Sequence, residues 1–95
     1  MKRIYYTYIL TNEDRHTVLY VGVTNGIRKR IAQHKEYKRG FTYRYNCFKL
    51  VHIEEYTSRM EAINREKQIK RWSRSKKETL IERDNPNWDD LLESY

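Results

Sequence analysis

The sequence predicts an α+β domain in which one three-stranded antiparallel sheet is flanked by helices, in the order β-β-α-β-α-α. Two runs of β-branched and aromatic residues lie close together near the amino terminus, and a third lies mid-chain. Helix-start signals follow the second and third runs. The chain has 95 residues, which suffices for one hydrophobic core, so residues 1–95 are expected to form a single domain.

The three strands are predicted from residue type. Residues 4–10, IYYTYIL, and residues 18–23, VLYVGV, are rich in β-branched and aromatic side chains. The short polar stretch 12–17 between them predicts a turn, so the two strands should form a hairpin. Residues 48–56, FKLVHIEEY, predict a third strand that completes the sheet.

The first helix is expected between the second and third strands. Thr24 or Asn25 can cap its amino terminus, and the helix should run to about Glu36. The segment 37–46, YKRGFTYRYN, is basic and aromatic and contains a glycine. This composition predicts a loop.

Two further helices are predicted after the third strand. Ser-x-x-Glu capping boxes at 58–61 and 75–78 mark their starts. The helices should reach about Trp72 and Asp84, and Asn85-Pro86 ends the second of them. The apolar residues of the tail should pack back onto the domain; these are Trp88, Leu91 and Leu92.

The composition indicates a basic protein of a reducing compartment. Twenty basic and thirteen acidic residues give a net charge of +7, which favours a polyanionic partner such as nucleic acid, although a solvated basic surface has the same composition. Cys47 is the single cysteine and can form no internal disulfide, as expected in the cytoplasm. The apolar run near the amino terminus is too short and polar for a signal peptide or a membrane span.

Two polar residues fall on the apolar face predicted for the first helix. The helical spacing places Arg30 and His34 on the same stripe as Ile27 and Ile31. Either these side chains lie at the edge of the stripe and reach water, or this part of the helix lines a cleft.

The next helix carries a comparable anomaly. Glu66 falls among Ala62, Ile63 and Ile69, which define the apolar face. Burying a carboxylate alone costs several kcal/mol, so Glu66 should be exposed, paired or bound to a metal ion. A structural ion pair with Arg30 is one alternative, and a metal site is the other.

The hairpin tyrosines complete a possible phosphodiester site. Most strand tyrosines are packing residues, but a phenol near a cation can ionise and act as a base. Hydrolysis of a phosphodiester needs a base, a cation for the developing charge and usually a metal ion for the leaving oxygen. Tyr20 or Tyr8 would be the base, and Arg30 the cation. Glu66 would hold the metal ion, and His34 could bind a phosphate or move a proton.

The order of these motifs resembles that of the GIY-YIG nuclease superfamily, especially its small stand-alone members. Tyr6-Thr7-Tyr8 occupies the position of the first family motif, and Tyr20-Val21-Gly22 matches the second, with twelve residues from Tyr8 to Tyr20. Arg30 follows Tyr20 by ten residues, as the family arginine does, and His34 lies one helical turn later. Glu66 matches the helix glutamate, and Asn85 matches a late asparagine.

The resemblance implies roles for these residues. Tyr20 would be the general base for the attacking water, and Tyr8 would support it by hydrogen bonding. Arg30 would stabilise the transition state, and Glu66 would hold one weakly bound Mg²⁺ or Mn²⁺ ion. Gly22 would let the backbone come close. The implied activity is that of a metal-dependent endonuclease acting on DNA, with repair or recombination as its expected setting.

The chain also departs from the family pattern. Tyr6 replaces the glycine of the first motif, and Thr7 replaces its isoleucine. Val23 follows Gly22, where the related repair nucleases often have lysine. The sequence carries no recognisable separate DNA-binding domain, so cutting is expected to be selective for DNA structure rather than for base sequence.

Basic residues interleaved with aromatic ones suit phosphate contact combined with base stacking. The candidate nucleic-acid-binding residues are Lys29, Lys35, Arg39, Arg44, Lys70, Arg71 and Asn85. Two other functions stay open. One is a nucleic-acid-binding module of the same fold with little or no cleavage, and the other is a partner-binding domain with no nucleic-acid role.

Overall fold

A computed structural model describes residues 3–13 and 16–95 of the chain. Its sheet consists of β1 (Tyr5–Asn12), β2 (Leu19–Thr24) and β3 (Cys47–Tyr56). β1 is the central strand and pairs antiparallel with both neighbours, in the order β2-β1-β3. The predicted fold class and the three predicted strands are therefore confirmed.

Helices cover both faces of the sheet. They are α1 (Ile27–Tyr37), α2 (Gly40–Arg44), α3 (Arg59–Lys70) and α4 (Arg74–Asp84), and a short 3₁₀ turn follows at Leu92–Ser94. No helix within the described ranges is long and apolar enough to cross a membrane.

The α2 helix corrects the prediction of a loop over residues 37–46. Lys38 and Asn46, with φ of 51° and 55°, adopt the left-handed conformation on either side of it. Gly40, the first helical residue, has a φ of 80°, a value that suits glycine best. Thr42 is buried at 3% exposure and anchors the helix. The sequence signal was weak because the N-cap residue, Arg39, makes no side-chain capping bond.

Two other helix starts differ from the predictions. α1 begins after Gly26, and Thr24 Oγ1 accepts a hydrogen bond from the Gly26 N–H at 3.2 Å, so Thr24 supports the preceding turn and does not cap the helix. α4 is capped by Ser73, whose Oγ accepts from the Lys76 N–H at 3.2 Å. Ser75, the predicted cap, lies inside the helix. By contrast, the cap at Ser58 is confirmed, with the Glu61 N–H donating to its Oγ at 3.3 Å.

The alternation of β1 divides the core between the two sheet faces. Tyr8 and Leu10 pack in a cluster that includes Ile27 and Ile31 of α1. Ile9 points the other way, into a cluster built with side chains of α3 and α4. The tail packs back as predicted, with Leu91 and Leu92 against the first cluster and Trp88 against the second.

Candidate active site

Tyr8 and Gly22 form the centre of the candidate site. They are directly paired across β1 and β2, and Tyr8 is fully buried. A Cβ atom at position 22 would lie 2.5 Å from Tyr8 Oη and 2.6 Å from its Cζ. The Tyr8 phenol therefore occupies the space that any side chain at position 22 would need.

Three charged or polar groups influence the Tyr8 phenol. Burial raises the pKa of Tyr8 to about 12, with further rises from Tyr20 and Glu66, and the Arg30 guanidinium opposes this shift. Among the described residues, no hydrogen-bond partner of good geometry meets the buried Oη, although Arg30 lies near enough to affect its pKa. The hairpin and α1 thus bring Tyr8, Tyr20 and Arg30 close together, and Glu66 on α3 has the smallest of these effects on the Tyr8 pKa.

Tyr20 is the more accessible of the two candidate phenols. It lies on the edge strand β2 and is partly exposed, whereas Tyr8 is fully buried. Its ring stacks on that of Tyr8 with a centroid distance of 6.4 Å and meets the His34 ring edge-on at 5.8 Å. The raised pKa of Tyr8 keeps its phenol neutral near pH 7. Because Tyr8 is buried and Tyr20 is partly exposed, Tyr20 is the phenol that a solvent molecule can approach.

Arg30 and His34 lie beside a groove and do not enter the core. Ile27 and Ile31 are the buried residues of α1, whereas Arg30 is exposed and His34 is half-buried. Arg30, His34 and Tyr37 line a groove of about 540 Å³. Arg30 therefore reaches solvent, as the edge-of-stripe interpretation predicts, and also lines a cleft.

His34 is held in its neutral form. Burial lowers the pKa of His34 below its usual 6.5, and Arg30 lowers it further. Its Nε2 is buried and has no hydrogen-bond partner among the residues that the structure describes. A lowered pKa makes this imidazole a weaker base and its Nε2 is shielded from solvent, so a proton can reach it only from a neighbouring group such as Tyr20, whose ring lies 5.8 Å away.

Glu66 pairs within its own helix. Its side chain is 16% exposed, and its Oε1 lies 3.2 Å from Lys70 Nζ, one helical turn away. The alternative of a structural ion pair between Glu66 and Arg30 is wrong, since no such pair joins these two described residues.

A single carboxylate fits a weakly held ion. In the described parts of the chain, no group of three or more His, Cys, Asp and Glu side chains is placed to enclose a metal ion. Mg²⁺ commonly binds through one or two carboxylates and takes its remaining ligands from water and substrate phosphate. The chemistry of Glu66 is compatible with that mode, and the metal ligand stays a prediction.

Comparison with known proteins decides the family. Residues 4–79 match the family model of the GIY-YIG catalytic domain. The chain belongs to the GIY-YIG family. A UPF0213 protein of Natronomonas pharaonis is 38% identical to this GIY-YIG chain over 82 residues, covering 81% of the chain and 89% of the relative. A UPF0213 protein of Syntrophus aciditrophicus is 41% identical over 83 residues, covering 85% and 92%.

A solved structure is also similar to this GIY-YIG chain. The solution NMR structure of a UPF0213 protein from Bacillus halodurans has a TM-score of 0.58 and 29% identity, and the match covers 95% of each chain. The resemblance inferred from the motifs is therefore confirmed. Membership of this nuclease family implies endonuclease chemistry and a nucleic-acid substrate.

Most of the predicted nucleic-acid-binding residues of this GIY-YIG domain lie on its surface. Lys29 and Lys35 are exposed on α1, and Lys35 Nζ lies 5.6 Å from the centroid of the Phe48 ring. Arg39 and Arg44 line one groove around α2. At the end of α3, Lys70 and Arg71 are exposed, although Lys70 also pairs with Glu66. The cations of α1 and α2 and those at the end of α3 therefore form two surface regions that can contact a polyanion.

Asn85 is the exception, and the prediction that it binds nucleic acid is wrong. Its side chain is 5% exposed, and its Nδ2 donates to the carbonyl oxygens of Val51 at 3.0 Å and Asp89 at 2.9 Å. Its Oδ1 accepts from the Asp89 N–H at 3.0 Å. Because these contacts use the amide to join the end of α4 to β3, Asn85 is not available to nucleic acid.

Arg59 is not among the site residues predicted from the sequence. This exposed residue opens α3 and lines a groove of about 240 Å³ together with Arg30, Tyr5 and Ile63. The confirmed cap at Ser58 places Arg59 in the first turn of α3. Arg59 shares a groove with Arg30 because of the way α3 crosses the sheet. No local sequence pattern reveals that crossing.

A polar cluster beside the site also went unrecognised. Glu54 accepts hydrogen bonds from Arg65 Nε at 2.8 Å and from Tyr56 Oη at 2.6 Å, and its Oε2 lies 2.8 Å from His52 Nε2. Burial alone would raise the pKa of Glu54, but the bonds from His52, Arg65 and Tyr56 hold it well below its usual range. Because Arg65 adjoins Glu66, this cluster fixes the helix that carries the proposed metal ligand.

Proposed function

We propose that this GIY-YIG protein is a metal-dependent endonuclease that hydrolyses phosphodiester bonds of DNA, selecting DNA structure rather than base sequence. The observation that supports the proposal most is the cluster of side chains around Tyr8: its ring stacks on Tyr20 at 6.4 Å, Tyr20 meets His34 at 5.8 Å, and Arg30 and Glu66 lie near enough to affect the Tyr8 pKa. These groups come from three distant segments. A stable fold does not require ionisable groups around a buried hydroxyl, so a shared chemical task explains the arrangement better than stability does.

Tyr20 and His34 are proposed to transfer the proton of the attacking water. Tyr20, partly exposed, takes a proton from the attacking water while its own hydroxyl proton passes to a second acceptor, because a neutral phenol cannot hold both protons. His34, kept neutral, offers Nε2 as a further acceptor next to Tyr20. Tyr8 stays protonated and orients Tyr20 through their stacked rings.

Arg30 is proposed to hold the scissile phosphate. Its guanidinium is permanently charged and exposed on the groove, so it can meet the negative charge that grows on the phosphate oxygens in the transition state. Glu66 would hold one Mg²⁺ or Mn²⁺ ion, which when bound supplies stabilisation of the leaving oxygen.

We further propose that the cellular setting is DNA repair or recombination in the cytoplasm.

Two observations favour a second candidate function. Lys70 already compensates the charge of Glu66 at 3.2 Å, so the carboxylate is stable without a metal ion. Tyr6 also brings a large ring into the first motif, where it meets the Tyr95 ring edge-on at 5.8 Å. The second candidate is a nucleic-acid-binding module of the same fold with little intrinsic cleavage.

A nicking assay separates the two candidates. Supercoiled plasmid and branched DNA are incubated with wild-type protein in Mg²⁺, in Mn²⁺ and in a chelator. Wild type should cut only with metal, and Glu66→Gln and Tyr20→Phe should each lower the rate by about 10²-fold or more while DNA binding persists. Glu61→Gln, which changes an exposed glutamate of the same helix, is the matched control and should cut as wild type does.

The remaining outcomes contradict the endonuclease. DNA binding without metal-dependent cutting by wild type would establish the binding module. Cutting that survives in both Glu66→Gln and Tyr20→Phe would show that the activity arises elsewhere. Absence of DNA binding at moderate salt would leave a partner-binding domain.

A further inference from the structure

Three aromatic rings on and just after α2 face solvent. Phe41 is 49% exposed, Tyr43 38% and Tyr45 42%. We call these three residues the aromatic platform. α2 buries Thr42 and leaves its aromatic side chains outside. Clustered apolar surface of this kind marks a binding site more often than it marks packing.

The aromatic platform is continuous with the candidate active site. The Phe41 ring lies 6.0 Å from the Tyr20 ring and 4.8 Å from the Tyr45 ring, measured between centroids. Tyr20 in turn stacks on Tyr8. A row of rings therefore leads from the proposed general base outward to the surface, so a ligand seated on the platform has one end at the site.

The charged residues on the segment that carries the aromatic platform are all basic, although Tyr45 also lines a second groove with Glu13 and Asp90. Segment 37–46 contains Lys38, Arg39 and Arg44 and no acidic residue. All three basic residues line a groove of about 600 Å³ together with the platform rings. Aromatic faces bordered by cations match the bases and phosphates of an unpaired nucleic-acid strand.

The backbone holds the platform in place. The Tyr45 N–H donates to the Phe41 carbonyl at 3.1 Å, and the Asn46 N–H donates to the Tyr43 carbonyl at 3.2 Å. Cys47, which follows at once, is fully buried and starts β3. Because the backbone of this segment is already ordered, a ligand needs to fix only the side-chain rotamers of the rings when it binds.

We propose that the aromatic platform stacks the unpaired bases of a DNA strand and directs the adjoining phosphates towards Arg30. The preferred substrate then has a single-stranded segment next to the point of cleavage. In a duplex the bases already stack on one another and offer no free faces, so the platform discriminates against continuous duplex. This inference rests on the proposed function for the cutting step, but strand binding can be measured separately.

Binding is tested without metal by fluorescence anisotropy, using labelled oligothymidine and a DNA duplex of equal length. Phe41→Leu keeps the apolar character but removes the flat ring, so it should weaken binding to oligothymidine about tenfold and leave duplex binding unchanged. Phe41→Trp restores a stacking surface and should bind oligothymidine as wild type does. Tyr95→Leu changes an aromatic residue of similar exposure outside the platform and should have no effect.

Several results would overturn the inference. They are unchanged oligothymidine binding in Phe41→Leu, equal weakening on both ligands, and tighter wild-type binding to oligouridine than to oligothymidine. Cleavage assays distinguish failure of the aromatic-platform proposal from failure of the endonuclease proposal. If wild type cuts and Phe41→Leu retains the wild-type ratio of flapped to duplex cutting, the platform is refuted and the endonuclease stands. If wild type never cuts but Phe41→Leu loses selective binding, the endonuclease is refuted and the platform stands.

Discussion

Gly22 faces the phenol of Tyr8 across two paired strands, and the closeness of that contact shapes the candidate site. The Tyr8 ring is fully buried, and within the described residues only the nearby Arg30 guanidinium interacts with its hydroxyl, without good hydrogen-bond geometry, so the fold retains a poorly satisfied polar atom that costs stability. Glycine at position 22 is what allows the phenol to lie there. The glycine of the second family motif is therefore explained by the space that the Tyr8 ring occupies.

Gly22→Ala should harm both stability and activity. The new methyl group would lie 2.5 Å from Tyr8 Oη, which forces the buried ring to move. We expect the free energy of unfolding to fall by about 1–3 kcal/mol, measured by urea denaturation, and plasmid nicking to fall with it.

Gly26→Ala is the matched control for this change. A Cβ atom there would have Lys29 Cβ at 3.9 Å as its nearest contact, which is an ordinary van der Waals distance. Gly26 is the N-cap of α1, where glycine is preferred to alanine, but alanine also lowers the entropy of the unfolded chain, so stability should stay within about 0.5 kcal/mol of wild type. Equal destabilisation of the two variants would refute the steric explanation.

At the scale of secondary-structure elements, α3 and α4 show how each helix is started and held. Ser58 caps α3 and Ser73 caps α4. The pair Glu54 and Arg65 joins β3 to α3, with Arg65 Nε 2.8 Å from the Glu54 carboxylate. These local bonds position the helix on which Glu66 lies.

Replacing the two serines near the start of α4 tests the corrected boundary. Ser73→Ala removes the oxygen that accepts from the Lys76 N–H, so it should destabilise the protein by about 1 kcal/mol in urea denaturation. Ser75→Ala lies within the helix and should leave stability unchanged or raise it, because alanine has the higher helix propensity. The reverse ranking would restore the boundary predicted from the capping box.

The Glu54 cluster predicts how stability depends on pH. Hydrogen bonds hold the pKa of Glu54 well below its usual 4.5 in the folded protein, whereas the unfolded chain takes up a proton near that value. The ionised carboxylate therefore stabilises the fold above about pH 4.5, and this contribution is lost as the pH falls below it. Urea denaturation of wild type from about pH 6 to pH 3 should show that decline.

Glu54→Gln should flatten the decline. The amide cannot ionise, so the variant should be less stable than wild type by about 1–3 kcal/mol at pH 7 and should approach it as the pH falls. Glu55→Gln alters the exposed neighbour on the same strand and should keep the wild-type profile. A Glu54→Gln curve parallel to that of wild type would exclude Glu54 as the titrating group.

At the scale of the whole molecule, basic charge surrounds the candidate site. The net charge is +7, and exposed cations on α1, around α2 and at the end of α3 lie on segments that line or adjoin the grooves. Each phosphate that such a surface neutralises releases condensed counterions, which makes affinity fall as salt rises. Nucleic-acid binding should therefore be strongly dependent on ionic strength.

The salt dependence can be assigned to residues. Each phosphate neutralised on a single strand adds about 0.7 to the slope of log affinity against log salt, so Arg39→Gln combined with Arg44→Gln should reduce that slope by about 1.4. Arg83→Gln on α4, where Arg83 Nη2 pairs with Asp84 at 3.3 Å, should keep the wild-type slope. Equal slopes in the double variant and wild type would exclude α2 from the phosphate-binding surface.

Much of the fold follows from local chemistry in the sequence. β-branched and aromatic runs predict the strands because those side chains pack well on a pleated surface. Ser58 and Glu61 predict the start of α3 because a side-chain oxygen must meet the free backbone N–H groups there. Motif order then led to the family, and the polar residues on the stripe of α1 indicated that part of this face lines a groove.

The tertiary structure decided what depends on neighbours distant in sequence. α2 forms because Thr42 is buried beside the sheet, and Asn85 is withdrawn from solvent because Val51 and Asp89 meet its amide. The greater accessibility of Tyr20 and the groove shared by Arg30 and Arg59 also depend on how helices cross the strands, whereas the Glu66–Lys70 pair follows from the i,i+4 spacing within α3. Sequence patterns record local periodicity and capping, whereas burial and electrostatics are properties of the assembled chain, so the motifs identified the candidate residues and only the fold showed how they meet.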